Sequence, residues 1–366
     1  MLNIPPPAYA MGTAAAYTTN GYQYLANGAD LVISNSTSGT NLLGGGYTPK
    51  GTNIAIYYQD GANSPYLQPL TPDFYTLKTG GSTNYVSPLT SAGKDCTTNV
   101  LYAGWSFATN VAFWDYRESD TVQAVQIDVS KLNVWLTNSI TNNNGGGSYN
   151  STCQLHKGHP IDSIWAFNYV PLNNNVLPAV RLINGQQLPS SSGFSVVTPM
   201  PIYVYGNYNS QTNSISLSSG TNTSYTYPAA LMGDAITILS PNWSDSYNSS
   251  TPLASRTTSS TTVNAAMLEG IVQSSGANYS GGVENFLRFL EDWKQPSQQA
   301  TTYNGSIVVM FPSIYATNFW QSPGGSGPYD VPTRNWGFDV NFLQQQKLPP
   351  LTPQLKKTIR VSWSAM

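Results

Sequence analysis

The sequence predicts a mainly β protein, and three observations predict it. Short apolar runs of strand length recur along the chain, Gly, Pro, Asn and Ser clusters punctuate them, and charge is scarce. With 15 basic and 17 acidic residues in 366, charged side chains make up 9%, against about 25% in ordinary soluble domains. Asn, Ser, Thr, Gly and Tyr stand where Lys and Glu usually would, a composition common in secreted β-rich proteins and filament components. A net charge of −2 without a basic patch argues against nucleic acid as a partner. The length is ample for a sizeable core.

Three regions are expected. Residues 1–110 read as short strands and turns, among them ADLVISN, TNIAIYYQD and NVLYAGWSF, broken at Gly44 to Gly46 and at Gly80 to Gly81. Residues 111–180 read as strand, helix and strand. TVQAVQIDV is too apolar on both faces for an exposed strand, so it is expected to be sandwiched. Asp128 or Ser130 then caps a short helix with Leu132, Trp135 and Leu136 on one stripe. TNNNGGGSYNS, residues 141–151, is low-complexity and expected as an exposed loop, and SIWAFNYV and PAVRLING follow as strands.

Residues 181–366 repeat a short strand, a turn and a short strand, with Gly193 and Gly206 at corners. ITILS, AMLEGIVQS and SIVVMF are each about one coil-strand long, joined by connections of uneven length with no fixed period. The expectation is a right-handed parallel β-helix-like stack in the C-terminal half, each rung burying its inward side chains on the next; a β-sandwich is the rival. GGVENFLRFLEDW, residues 281–293, is expected as an amphipathic helix packed on that stack. Val283, Phe286, Leu287, Leu290 and Trp293 would share one face, and Glu284, Arg288, Glu291 and Asp292 the other.

The order of segments also carries a resemblance. PAALMGDAITILSPNWSD, TTVNAAMLEGIVQSS, YSGGVENFLRFLEDW and TYNGSIVVMFPSIYAT are followed by TRNWGFDVNF and KLPPLTP, and preceded by WDYRE and TVQAVQIDV. Over about residues 111–354 this order resembles the C-terminal extracellular region of the PilX-type assembly proteins of bacterial type IV pili. The resemblance implies a cell-surface protein, structural or adhesive, with pilin-like subunits or other copies of itself as partners and no catalytic residues. The positions that carry it, around Asp234, Thr262, Asn264, Gly282, Glu284, Asp292, Arg334 and Trp336, read as determinants of fold. The family pattern includes a hydrophobic N-terminal helix, and here the sequence departs from it. MLNIPPPAYAMGTAAAY lacks a basic start, and Pro5 to Pro7 interrupt its apolar character. No run approaches the roughly 18 apolar residues of a membrane span, so none is expected.

Chemistry is sparsely signalled. Cys96 and Cys153 lie in polar, Asn- and Thr-rich sequence, which in an exported protein suggests a disulfide joining two loops. Cys153, His156, His159 and Asp162 have ligand-like spacing, but Gly158 and Pro160 oppose a helix that would align them; no metal and no cofactor is expected. Asp115, Asp120 and Asp245 lack any calcium-binding repeat around them. Parallel β-helices often host polysaccharide lyases and glycoside hydrolases. Asp234, Asp245, Glu269, Glu284 and Asp292 are therefore the carboxylates to weigh for that alternative. Motifs for nucleophilic, phosphate and dinucleotide chemistry are absent. The chain has 24 Tyr, 9 Trp and 11 Phe, residues suited to subunit interfaces or polysaccharide-binding platforms. Tyr47, Tyr66, Tyr85, Tyr247 and Tyr329, all in Gly-, Pro-, Ser- or Asn-rich loops, are expected to be exposed interface candidates.

Overall fold

The structure, a computed structural model, describes residues 29–36, 54–59, 67–69, 76–77, 105–133, 161–169, 176–210, 223, 226–276, 279–280, 286–320 and 327–352. The early strands are Leu31–Ser36 (β1), Ile54–Gln59 (β2), Leu67–Pro69 (β3), Thr76–Leu77 (β4) and Trp105–Ser106 (β5). A hairpin follows, Ala108–Asp115 (β6) and Asp120–Asp128 (β7). The chain then runs in pairs. These are Ser163–Tyr169 (β8) with Val176–Ile183 (β9), Phe194–Val197 (β10) with Ile202–Tyr205 (β11), Ala229–Met232 (β12) with Ile236–Leu239 (β13), and Thr261–Ile271 (β14) with Leu287–Arg288 (β15). Ala300–Pro312 (β16) and Thr333–Phe338 (β17) close the series.

The first member of each pair joins a nine-stranded sheet ordered β17-β16-β14-β12-β10-β8-β1-β2-β3, and the second a six-stranded sheet ordered β15-β13-β11-β9-β7-β6. Pairing is parallel from β17 to β1 in the larger sheet and from β15 to β7 in the smaller. Only β2, β3 and β6 add on antiparallel at one end of each sheet. The protein is thus mainly β, with an extensive parallel sheet, and neither sheet closes into a barrel. Strands from the first predicted region share the larger sheet with those of the last.

Side-chain alternation explains why each strand serves both faces. Leu31, Ile164, Val196, Leu231, Met267 and Ile307 occupy successive register positions and point into the layer between the sheets. Val125, Val180, Ile202, Ile236 and Leu287 form the matching file from the smaller sheet. Their neighbours one residue along point outward. Val32, Trp165, Val197 and Ala230 form a second apolar layer outside the larger sheet, and Phe113, Tyr203, Leu239 and Trp243 a third outside the smaller. As expected, β7 is buried on both faces: Val122 and Ala124 face the outer layer while Val125 and Ile127 face the inner one.

Polar ladders run beside the aliphatic files. Asn304 Nδ2 donates to Asn264 Oδ1 at 2.8 Å, and Asn264 Nδ2 donates to the Asn209 carbonyl at 2.9 Å. Asn35 Nδ2 donates to Asn168 Oδ1 at 2.9 Å at the other end. These buried amides pin register where a one-residue slip would expose every inward side chain. Close approach is also built in: a Cβ on Gly305 would lie 1.9 Å from the Ala265 carbonyl oxygen.

Two helical expectations fare differently. Residues 129–133 are helical, and Asp128 caps them, its Oδ1 accepting from the Lys131 N–H at 3.0 Å; Trp135, Leu136 and the 141–151 segment lie outside the described residues. The helix expected over 281–293 is corrected. Leu287 and Arg288 form β15, parallel to Ile236 and Thr237, and residues 281–285 lie outside the described residues. Phe286, Leu287, Leu290 and Trp293 are buried as a helix face would be, but Arg288, Glu291 and Asp292 are buried too. Backbone pairing to β13 and internal partners for the three charges outweigh the helical spacing.

Asn264 bonds both Asn209 and Asn304, so Asn264→Ala should lower stability by about 1–3 kcal/mol, the cost of stranding buried polar partners. Urea denaturation of the variant checks this.

Candidate functional site

Most of the charged side chains among the described residues are buried. Of the chain's six arginines, Arg117, Arg181, Arg256 and Arg288 are all buried. The arrangement starts at the β6–β7 turn. Asp115 Oδ1 accepts from the backbone N–H groups of Arg117 and Glu118 at 2.7 and 2.8 Å, which folds the turn, and its Oδ2 accepts from the Tyr203 hydroxyl at 2.5 Å. The turn delivers Glu118 to Arg288 on β15: Arg288 Nη1 donates to Glu118 Oε1 at 2.6 Å, and Arg288 Nη2 to the Ala316 carbonyl at 2.8 Å. Glu118 Oε2 also accepts from the Asn318 N–H at 2.9 Å, and Arg117 Nε donates to the Asn318 carbonyl at 3.1 Å. One cluster therefore ties the hairpin, the smaller sheet and the segment after β16 together.

The weighed carboxylates belong to this internal system or to a surface pair. Asp234, at the corner between β12 and β13, accepts three backbone N–H groups, those of Ile314, Tyr315 and Ala316, at 2.6, 3.0 and 2.8 Å. Glu269 Oε2 accepts from the Ile236 N–H at 2.8 Å while its Oε1 has no partner among the described residues; burial pushes this carboxyl well above its ordinary range. Asp292 Oδ1 accepts from the Lys294 N–H at 3.0 Å. Asp245, the exposed member, is held by Arg181 through both oxygens at 2.5 and 2.8 Å, with Trp243 Nε1 donating at 3.1 Å. Arg181 in turn donates to Gln126 and lies over the Phe113 ring. Glu284 lies outside the described residues.

A second buried charge pair lacks mutual contact but shares the same design. Arg256 stacks 3.5 Å from the Tyr116 ring centroid and donates to the carbonyls of Leu290 and Pro328. Glu291 accepts from the N–H and the hydroxyl of Ser240, both at 2.7 Å.

Among the interface candidates, Tyr329 is corrected from exposed to buried: its ring lies 5.3 Å from that of Phe289, because the core wraps over it. Tyr247 is half-buried, edge-on to Trp243 at 5.3 Å. Tyr47, Tyr66, Tyr85, Cys96, Cys153, His156 and His159 lie outside the described residues. Among the described residues no group of three or more His, Cys, Asp or Glu could hold a metal, and no helix is long and apolar enough to cross a membrane.

The surface feature that sequence reasoning missed is the free end of the larger sheet. Among the described residues β17 pairs only with β16, and only along its residues 300–305. The rest of β16 overhangs, with Val308 and Val309 exposed. Around this edge Val331, Phe338, Val340 and Leu343 are exposed, Leu343 to 77%. The segment that presents Val340 and Leu343 is fixed in place: Asp339 accepts from the Asn341 N–H at 2.9 Å, and Asn341 Nδ2 donates to the Thr223 carbonyl at 2.5 Å. The clue was present in WGFDVNFL, where Trp336, Phe338, Val340 and Phe342 alternate as in a strand, yet the strand itself stops at Phe338. No protein-family model, curated protein or solved structure matches this chain.

Breaking a buried pair strands a charge, so Arg288→Ala should destabilise the protein by about 3–5 kcal/mol, and the double variant Glu118→Leu/Arg288→Met by much less; chemical denaturation of both distinguishes the two. Burial is also the main reason that Glu118 and Glu291 are each raised from 4.5 to about 7. In that window the folded state holds protons that the unfolded state releases, so stability falls as pH rises through it. Arg117, lowered to about 9 by burial, titrates above the window. The denaturation midpoint should therefore be higher near pH 5 than near pH 8, by a slope of at most about 1.4 kcal/mol per pH unit per group, and Glu291→Gln should flatten that slope.

Proposed function

We propose that this chain is a non-enzymatic bacterial surface protein, a structural or adhesive component associated with a type IV pilus-like assembly or another extracellular filament. Its architecture in this reading is a parallel β-helix-like stack whose last rung is an assembly edge. The observation that carries the proposal is that edge: an open β17, an overhanging β16 and a fixed apolar rim of Val331, Phe338, Val340 and Leu343. Unpaired strand edges template pairing with another chain, and soluble proteins usually blunt them with charge or cover. Here the one charged side chain on β17 is Arg334, drawn over the Trp336 ring at 5.2 Å. The partner is another copy of the chain or a pilin-like subunit. The pilus setting rests on the order of segments, and surface display on the near-absence of charge.

The commitment of Asp234, Glu269 and Asp292 to backbone groups and of Asp245 to Arg181 supports this reading over a polysaccharide-active enzyme, which needs two carboxylates free to face a substrate.

The purified chain is expected to form filaments or defined oligomers by electron microscopy and light scattering. Phe338→Lys/Leu343→Asp should disperse them to monomers with an unchanged melting temperature, because both side chains are exposed. A wild-type chain that stays monomeric at every concentration would sink the assembly proposal.

A further inference from the structure

The corner where β9 leaves the smaller sheet and β11 ends carries a trough with its own chemistry. It has two lobes, of about 300 and 230 Å³, which share Asn184 and Gln186 as walls; together they fall in the usual range for small-ligand sites, about 300–1,000 Å³. The first lobe is lined by Asn133, Gln187 and Ser130 besides the shared pair. The second adds Tyr205, Asn207 and Pro241. No carboxylate, lysine, arginine or histidine is among the described residues that line either lobe.

Two of the amides are set rather than loose. Asn184 sits in the left-handed region at φ 54°, and its Nδ2 donates to Asp128 Oδ2 at 3.0 Å, the same carboxylate that caps residues 129–133. That fixes Asn184 Oδ1 as the acceptor toward a ligand. Asn207 is held the opposite way round: its Oδ1 accepts from the Thr262 N–H at 2.8 Å, leaving its NH₂ to donate. Gln186 is exposed and its side chain makes no hydrogen bond within the protein among the described residues, so both its donor and its acceptor are available. Tyr205 is clamped by its hydroxyl, which donates to the Trp243 carbonyl at 2.9 Å, and with exposed Pro241 gives the second lobe an apolar wall.

We propose that this trough binds a neutral carbohydrate. Fixed donors and acceptors from amides match hydroxyl groups, each of which both donates and accepts. The Tyr205 and Pro241 wall suits the C–H face of a sugar ring, and the lack of charge among the described lining residues leaves an anionic or cationic ligand without compensation. Asn184, Asn207 and Tyr205, already held by the protein, lose little freedom on binding, which favours affinity from few contacts. The inference deepens the adhesive part of the proposed function without resting on edge-to-edge assembly, so the two fail separately.

The test is calorimetric and NMR titration of the full chain with tetrasaccharides of glucose, mannose, galactose and N-acetylglucosamine, and with tetragalacturonate as the acidic counterpart. At least one neutral tetrasaccharide is expected to bind, and the acidic one is not. Gln186→Ala should weaken binding about 5-fold, as for one lost hydrogen bond, and Asn184→Gly, which keeps the left-handed backbone unstrained, by at least as much. Gln346→Ala, exposed at the far edge segment, should leave binding unchanged. Thermal melting confirms that each variant is folded, and Phe338→Lys/Leu343→Asp, which targets assembly, should retain binding. Failure of every neutral tetrasaccharide at millimolar concentration, equal binding of tetragalacturonate, or indifference to both trough variants would each overturn the proposal.

Discussion

Parallel strands four residues long bury almost nothing alone, so β10, β11, β12 and β13 are stable only because each lies in register on its neighbours. The aliphatic files through Ile164, Val196, Leu231 and Met267 and through Val180, Ile202, Ile236 and Leu287 supply that stacking. Everything else in the molecule is arranged around keeping these files aligned. The asparagine ladder fixes register inside the stack, Gly305 lets two backbones approach, and the outer layers cover the reverse face of each strand.

The buried arginines solve a different problem, that of closing the sides. A stacked structure has corners at which the chain passes from one sheet to the other, and backbone groups there have no strand partner. Asp234 answers for three N–H groups at one corner, Arg288 for the Ala316 carbonyl and Arg117 for that of Asn318. Glu118 then balances Arg288 electrostatically. A chain with so few charges spends several of them on internal closure, and its surface is left to amides, hydroxyls and aromatic rings.

Much of the fold was legible in the sequence because strand signals are local. TNIAIYYQD and SIWAFNYV contain β2 and β8, ADLVISN and PAVRLING cover most of β1 and β9, and the two-faced apolarity of TVQAVQIDV announced a strand buried on both sides. Asp128 announced a cap. What failed was FLRFLEDW. Its i, i+3, i+4 apolar spacing is shared by a two-residue strand followed by turns, and Arg288 and Glu291 looked solvated because their partners, Glu118 and Ser240, lie 170 and 51 residues away. Tyr329 failed for the same reason, since a glycine- and proline-rich neighbourhood does not reveal that Phe289 covers it. The candidate sites were less legible than the fold. The open edge depends on which strand comes last in the sheet, and the amide trough joins residues near 130, 184 and 207 that only stacking brings together.

The burial of Arg117, Arg181, Arg256 and Arg288 has one more consequence. Proteases that cut after basic residues need an extended, accessible backbone around the scissile bond, and these four residues are buried. Cleavage at them requires the protein to open locally first. The side chains that close the corners thus also withhold four of the bonds a trypsin-like enzyme would choose, while exposed Lys294 and Arg334 stay open to it. Digestion kinetics at those sites would record how often the stack opens.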